Sequence, residues 1–127
     1  MDNLYRDNIL DHYKNPRNFG ILSDPSVISE EENPSCGDRI KIQIRIKELP
    51  GKKMIEDIRF SGEGCAISIA SASLLTDFVK GKTKEEVLTL KTEDILKLLG
   101  TVLTPARIKC ATLPLEVVHK TLLLAKV

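Results

Sequence analysis

The sequence predicts an α+β fold: one N-terminal helix, a small antiparallel three-stranded sheet, then several helices packed on one face. Three observations carry this. Ile40, Ile42, Ile44 and Ile46 alternate with Lys41, Gln43, Arg45 and Lys47, the period of a half-buried antiparallel strand over 39–47. A second run, Met54 to Phe60, follows the turn Pro50-Gly51-Lys52 and sets Ile58 and Phe60 against Asp57 and Arg59, which makes a hairpin. From Cys65 onward, apolar residues recur at helical spacing and are punctuated by Gly81, Gly100 and Pro105.

Asp2 to Lys14 carries Tyr5, Ile9 and Tyr13 on one helical stripe with Leu10 beside it, and ends at Asn15-Pro16, where proline pushes its predecessor out of the helical region. His12 lies off this stripe and reads as a solvated or hydrogen-bonded side chain rather than a ligand. Asn18 to Pro34 reads as loops with an exposed first strand at Val27-Ile28; the acidic run Glu30-Glu31-Glu32 reads as a solvated face. After Gly62-Glu63-Gly64, a helix over Cys65 to Lys80 is rich in Ser and Ala, which permit close approach to the sheet, while Ile67, Leu74, Leu75 and Phe78 supply its core stripe. Gly81 fits its C-cap. Thr83-Lys84-Glu85-Glu86 matches a capping box for a short helix through Leu90; Thr92 caps another, with Ile95, Leu96 and Leu99 apolar and Gly100 closing it. Pro105 fits the first turn of a helix bearing Cys110. Leu115 to Ala125, after Pro114, forms a C-terminal helix in which His119 takes a structural or surface role.

At 127 residues, 42% hydrophobic and 29% charged, the chain is expected to form one domain over 1–127 with a single packed core. Nineteen Lys and Arg balance eighteen Asp and Glu, so no global field recruits nucleic acid or an anionic membrane. The basic outer face of the hairpin carries no interleaved aromatic residues to stack bases. No apolar run approaches the roughly 20 residues that span a bilayer, and the polar N-terminus reads as neither signal nor transit peptide. The expected compartment is the cytoplasm, where three cysteines read as ligands or nucleophiles rather than as a disulfide framework.

Those cysteines carry the chemistry. Cys36 lies in Asn33-Pro34-Ser35-Cys36-Gly37-Asp38, a loop that proline stiffens and glycine frees, presenting Cys36 and Asp38 two residues apart. Cys65, at a helix N-terminus, meets unpaired N–H groups and the positive end of the helix dipole, which favour the thiolate. Cys110 stands near Arg107 and Lys109, whose charges favour the same form. The three are far apart in the chain, unlike the close cysteine pairs of zinc fingers and ribbons. One such residue alone reads as a small buried hydrophobe; three in glycine-bearing or cation-bearing contexts read as a shared site. A cysteine hydrolase with His12 or His119 as base needs a thiol–imidazole pair, and neither histidine sits in such a motif.

Four stretches together resemble the IscU/SufU branch of the NifU-type iron–sulfur cluster scaffold proteins. They are Ile9 to Asn18 (ILDHYKNPRN), Asn33 to Asp38 (NPSCGD), Gly62 to Ala66 (GEGCA) with its Ser/Ala helix, and Pro105 to Leu113 (PARIKCATL). The resemblance spans nearly the whole chain and implies that Cys36, Cys65 and Cys110 converge with Asp38 as an assembly site. It implies a transient [2Fe–2S] cluster as cargo or, in the alternative, Zn2+ in the same residues of a zinc-dependent sulfurtransferase. Cys36 and Cys110 are the candidate persulfide acceptors, and nothing need be catalytic in the strict sense. The implied partners are a pyridoxal-phosphate cysteine desulfurase, an iron or electron donor protein and recipient apo-proteins; Tyr5 and the first helix are candidates for the desulfurase contact. Thiolates suit iron–sulfur clusters and zinc, while a carboxylate is harder and more exchangeable, which fits a site that must release what it holds. Two departures matter. IscU-like chains usually carry His before the last cysteine, where this chain has Lys109, whose ammonium offers no lone pair, so the fourth ligand falls to Asp38. The IscU chaperone-recognition stretch survives only in part at Leu103 to Arg107. Both departures look like SufU, yet the spacing between Cys65 and Cys110 has no room for the SufU insertion.

Overall fold

The computed structural model describes residues 3–33 and 37–125, with side chains from residue 6 onward. Its elements run α1 (Asn3–Lys14), β1 (Val27–Asn33), β2 (Asp38–Leu49), β3 (Lys52–Glu63), α2 (Ala66–Val79), α3 (Lys84–Leu88), α4 (Thr92–Leu99) and α5 (Pro105–Leu124). This is the expected α+β order. The strands form one antiparallel sheet in the order β1-β2-β3. Ile40, Ile42 and Ile44 of β2 and Ile58 and Phe60 of β3 are fully buried on its inner face. There α5 packs on β1 and β2, α2 packs on β3, and α1 lies on α2.

Several boundaries differ from the sequence reading, each for a local reason. β1 continues through the acidic run to Asn33 because strand alternation turns Glu30 and Glu32 to solvent and Glu31 toward α5, where Lys120 meets its carboxylate. β3 takes in Gly62, which pairs with Ile40 at φ +139°; a Cβ there would stand 2.0 Å from the Arg39 carbonyl oxygen, so only glycine fits. The cap of α4 is Lys91, whose N–H donates to the Asp94 carboxylate at 2.8 Å, and Thr92 is the first helical residue. α5 is one helix of 20 residues, with Pro114 inside it. Proline tolerates this because its neighbours Leu113, Leu115, Val117 and Val118 are all buried, and their packing offsets the missing bond to the Cys110 carbonyl. Of the expected α2 stripe, Leu75 is buried and Ile67 and Leu74 pack partly buried against the core, joined by Ile69, Ala70, Ala72 and Val79, whereas Phe78 is 40% exposed with the Lys82 ammonium over its ring. The helix contacts α1, α4, α5 and β3, and its Ala and Ser residues let these neighbours approach closely.

Other local readings hold. Thr83 Oγ1 accepts the Glu86 N–H and the Glu86 carboxylate accepts the Thr83 N–H, a complete capping box. Gly81 and Gly100 adopt positive φ after α2 and α4. No helix among the described residues is long and apolar enough to cross a membrane.

Candidate metal and cluster site

The site forms where three chain turns meet at one end of the sheet. Asn33 and Asp38 are register partners, so the β1–β2 connection closes directly at Asp38; the Gly37 N–H donates to the Asn33 carbonyl at 2.9 Å with Gly37 at φ +71°. Cys36 belongs to this connection and lies outside the described residues, as do Pro34 and Ser35. At the same end, β3 runs out at Glu63 and Cys65 caps α2 in extended conformation. Pro105 starts α5 at its first position, and Cys110 follows in the second turn.

Asp38 is the buried hub. Its side chain has no solvent exposure, and Oδ1 accepts the Cys65 backbone N–H at 2.9 Å, which leaves Oδ2 facing the Cys65 Sγ at 3.9 Å. Gly64 makes this approach possible, since a Cβ there would stand 2.7 Å from Asp38 Oδ1 and 2.3 Å from the Ser68 hydroxyl. Ser68 donates to the Cys65 carbonyl at 3.1 Å and sits 3.9 Å from its sulfur. Cys110, 1% exposed, turns its thiol toward the Ala106 carbonyl at 3.8 Å. One ligand atom each from Asp38, Cys65 and Cys110 lies within 4.8 Å of the others.

That spacing fits a single ion. Tetrahedral zinc with Zn–S near 2.3 Å and Zn–O near 2.1 Å sets its ligand atoms about 3.6–3.8 Å apart, a small contraction from the arrangement seen. Two soft thiols and one carboxylate also suit iron. Of the four residues picked out by sequence, Asp38, Cys65 and Cys110 are brought together, and Cys36, two positions before Asp38 in the chain, lies outside the described residues. Lys109 is exposed and lines, with Glu32, Asn33, Leu113 and Glu116, an open hollow of about 280 Å³ on the flank of the site.

Neither histidine belongs here. The His12 Nδ1 bonds the Ser73 hydroxyl at 2.7 Å, and that oxygen also accepts the Arg17 N–H at 2.8 Å. Burial holds the imidazole below its usual value, with Arg17 adding to the effect and Asp11 and Asp77 opposing it. The His119 Nε2–H donates to the Val87 carbonyl at 2.9 Å. Sequence reasoning passed over Ser68 and Ser71, whose hydroxyls contact the chain beside the two thiols; their three-residue spacing on α2 is the signal that places them on one side.

Comparison with known proteins fits this geometry. A model of the NifU-like N-terminal domain matches residues 4–124. The chain belongs to that family. It is 43% identical to the zinc-dependent sulfurtransferase SufU of Bacillus subtilis (strain 168), over 94% of this chain and 90% of the relative. It is 42% identical to the iron–sulfur cluster assembly scaffold protein IscU of Aquifex aeolicus (strain VF5), over 91% and 71%. The SufU alignment runs over 137 positions, more than this chain possesses, whereas the IscU alignment runs over 115. The crystal structure of FiSufU, a SUF-system protein of Fervidobacterium islandicum AW-1, superposes with TM-score 0.72 at 26% identity, over 91% of this chain and 94% of that one.

Proposed function

We propose that this member of the NifU-like family is an assembly scaffold. It accepts sulfur from a cysteine desulfurase, combines it with iron, and holds the resulting [2Fe–2S] cluster on Cys36, Asp38, Cys65 and Cys110 until a recipient apo-protein takes it. The observation that carries this is the convergence of Asp38, Cys65 and Cys110 within 4.8 Å at a turn-built end of the molecule. Cys36 supplies the fourth donor because the connection that contains it ends at Asp38.

The residues divide the work by access. Cys110 is buried, which disfavours it as acceptor for sulfur arriving on a bulky donor, and the role passes to Cys36, the other candidate from the sequence. Its thiolate attacks the outer sulfur of the donor's persulfide; the donor's S–S bond breaks, the donor leaves as a thiolate, and a new persulfide stands on Cys36 without net oxidation. Each such sulfur then needs two electrons to become sulfide. For two sulfides, two ferrous ions give two of the four electrons and an electron donor protein gives the rest. Cys65 and Cys110 hold the iron from the helix side, and Asp38, pinned through Oδ1 by the Cys65 N–H, offers Oδ2 as the exchangeable ligand. Anaerobic reconstitution with iron, sulfide donor and thiol should give visible sulfur-to-iron charge-transfer absorption; a colourless protein that keeps tight zinc through this treatment sinks the reading.

The 43% identity to SufU supports a second reading, a zinc-dependent sulfurtransferase on the same residues. When bound, zinc lowers the basicity of the thiolates and holds them ready for exchange. Lys109, in place of a histidine ligand, agrees with it, and the length of the SufU alignment relative to this chain counts against it. Zinc-loaded, iron-free protein that raises the desulfurase's alanine output decides for this reading, and an unchanged rate decides against it.

A further inference from the structure

Cys110 lies just before the proline of α5. In α5 the residue four beyond Cys110 is Pro114, which has no N–H, so the turn that follows Cys110 has one intrahelical bond fewer than a regular helix. One residue on, the buried Ser71 hydroxyl of α2 donates to the Ala111 carbonyl at 2.5 Å. Ser71 stands in the second turn of the helix that Cys65 caps. A single buried hydroxyl thus ties the backbone beside Cys110 to the helix that carries Cys65.

We infer that Ser71 is a positioning residue: through the Ala111 carbonyl it sets the separation of the Cys110 and Cys65 sulfurs and so the geometry in which the site holds a metal. This rests on the proposed metal and cluster site. A buried hydroxyl–carbonyl bond with a merely structural role would affect stability alone. A positioning role moves the coordination itself, because residues that orient ligands change metal affinity by about 10–100-fold when lost.

Ser73 supplies the comparison. It is an equally buried serine two residues along α2, and its hydroxyl serves His12 and Arg17 of the α1 region instead. Co2+ is the probe, because its thiolate charge-transfer band reports the number of sulfurs bound and its ligand-field bands report the geometry. Ser71→Ala is expected to weaken Co2+ and Zn2+ binding by about 10–100-fold, measured by chelator competition, and to reduce the charge-transfer intensity. Ser73→Ala should lower Tm with both readouts kept. Ser71→Thr, which keeps the hydroxyl, should restore the spectrum. The apo protein gives an independent measure if Ser71→Ala binds too little metal to titrate: Cys110 should be alkylated faster than in Ser73→Ala.

Should Ser71→Ala retain wild-type affinity within twofold together with the wild-type spectrum, the positioning role is overturned while the metal site stands. If Cys110→Ala binds Co2+ with the wild-type spectrum, the metal site as assigned is overturned, and the role of Ser71 with it. If Ser71→Ala does not fold, Ser71→Thr and Ser71→Cys still decide. Weakened affinity and a reduced charge-transfer band in Ser71→Cys, whose thiol is the weaker donor, beside a wild-type Ser71→Thr would support the role, and wild-type affinity and spectrum in Ser71→Cys would overturn it.

Discussion

Two clusters of buried polar groups flank α2, and they are built to opposite plans. On the α1 side, His12, Ser73, the Arg17 N–H, Asn18 and Thr76 pair off: Ser73 serves His12 and Arg17, the Asn18 amide donates to Thr76 at 3.0 Å, and Thr76 donates back to the Ala72 carbonyl at 2.7 Å. At the N-terminal end of α2, ligand atoms of Asp38, Cys65 and Cys110 converge within 4.8 Å of one another, and the Cys65 thiol makes a long sulfur contact of 3.9 Å to Asp38 Oδ2. The first cluster consumes its donors and acceptors internally and so fastens helices. The second also makes internal contacts, from the Cys65 N–H to Asp38 Oδ1 and from the Cys110 thiol to the Ala106 carbonyl, but it brings two sulfurs and a carboxylate oxygen within 4.8 Å of one another. Burial of polar groups alone therefore does not mark a functional site; the convergence of several metal-ligating atoms does.

Substitutions should separate the two plans. The largest effect is expected from Cys65→Ala, which removes a ligand while leaving the cap without loss, since the Cys65 side chain makes no capping bond. Zinc affinity should fall by at least about 100-fold, beyond what orienting residues alone account for, and the reconstituted chromophore should vanish, while apo stability by urea denaturation moves within about 0.5 kcal/mol. Apo stability lost along with binding would place Cys65 in the fastening class. Gly64→Ala comes next. Its Cβ collides with the Asp38 carboxylate and the Ser68 hydroxyl, so it should cost about 1–3 kcal/mol and weaken metal binding together. A stable variant with wild-type affinity would show that Asp38 has no fixed place in the site.

The same contrast explains what could be read from the sequence. Alternation over Ile40 to Ile46 gave β2 and its inward face, because one buried face forces period two. Cys36, Cys65 and Asp38 stand out as thiols and a carboxylate in glycine-bearing stretches, and Cys110 as a thiol beside Arg107 and Lys109. The extent of β1 was hidden: a run of glutamates looks like a solvated loop until β2 beside it supplies a ladder and α5 supplies Lys120. Helix α5 was divided at Pro114 because proline is a local signal and the packing that overrides it is tertiary. The serines of α2 were read as small residues, since which hydroxyl meets which carbonyl depends on α1 and α5 arriving from far along the chain.

The fastening cluster should give stability its own dependence on pH. The folded His12 imidazole binds its proton less readily than the unfolded one, whose value is 6.5, chiefly through desolvation. As pH falls below about 6.5, the unfolded state takes up the proton first, so stability declines, and the decline levels off below the folded value. His12→Gln removes that slope, and the difference between the two stability-against-pH curves isolates it from the carboxylates. His12→Ala should cost about 1–3 kcal/mol at pH 8, because it leaves the buried Ser73 hydroxyl without its imidazole, with zinc affinity of the folded protein unchanged. A parallel loss of affinity would mean that the two clusters act as one unit across α2.

The smallest effect is expected at the far end of the sheet. Thr83 caps α3 and bridges Met54 of β3, whose partner Lys47 lies about 30 Å along β2 from Asp38 at about 3.3 Å per residue. Thr83→Ala removes the hydroxyl that accepts the Glu86 N–H and should cost about 1 kcal/mol, read as a lowered urea midpoint at constant slope. Sites this far apart with no shared partner are additive. Combined with Cys65→Ala, the Thr83→Ala loss in stability should therefore appear in full and the metal affinity should not change further. Departure from additivity would show that the strands transmit strain from the capping box to the metal-binding end, and that a fastening element also shapes the site.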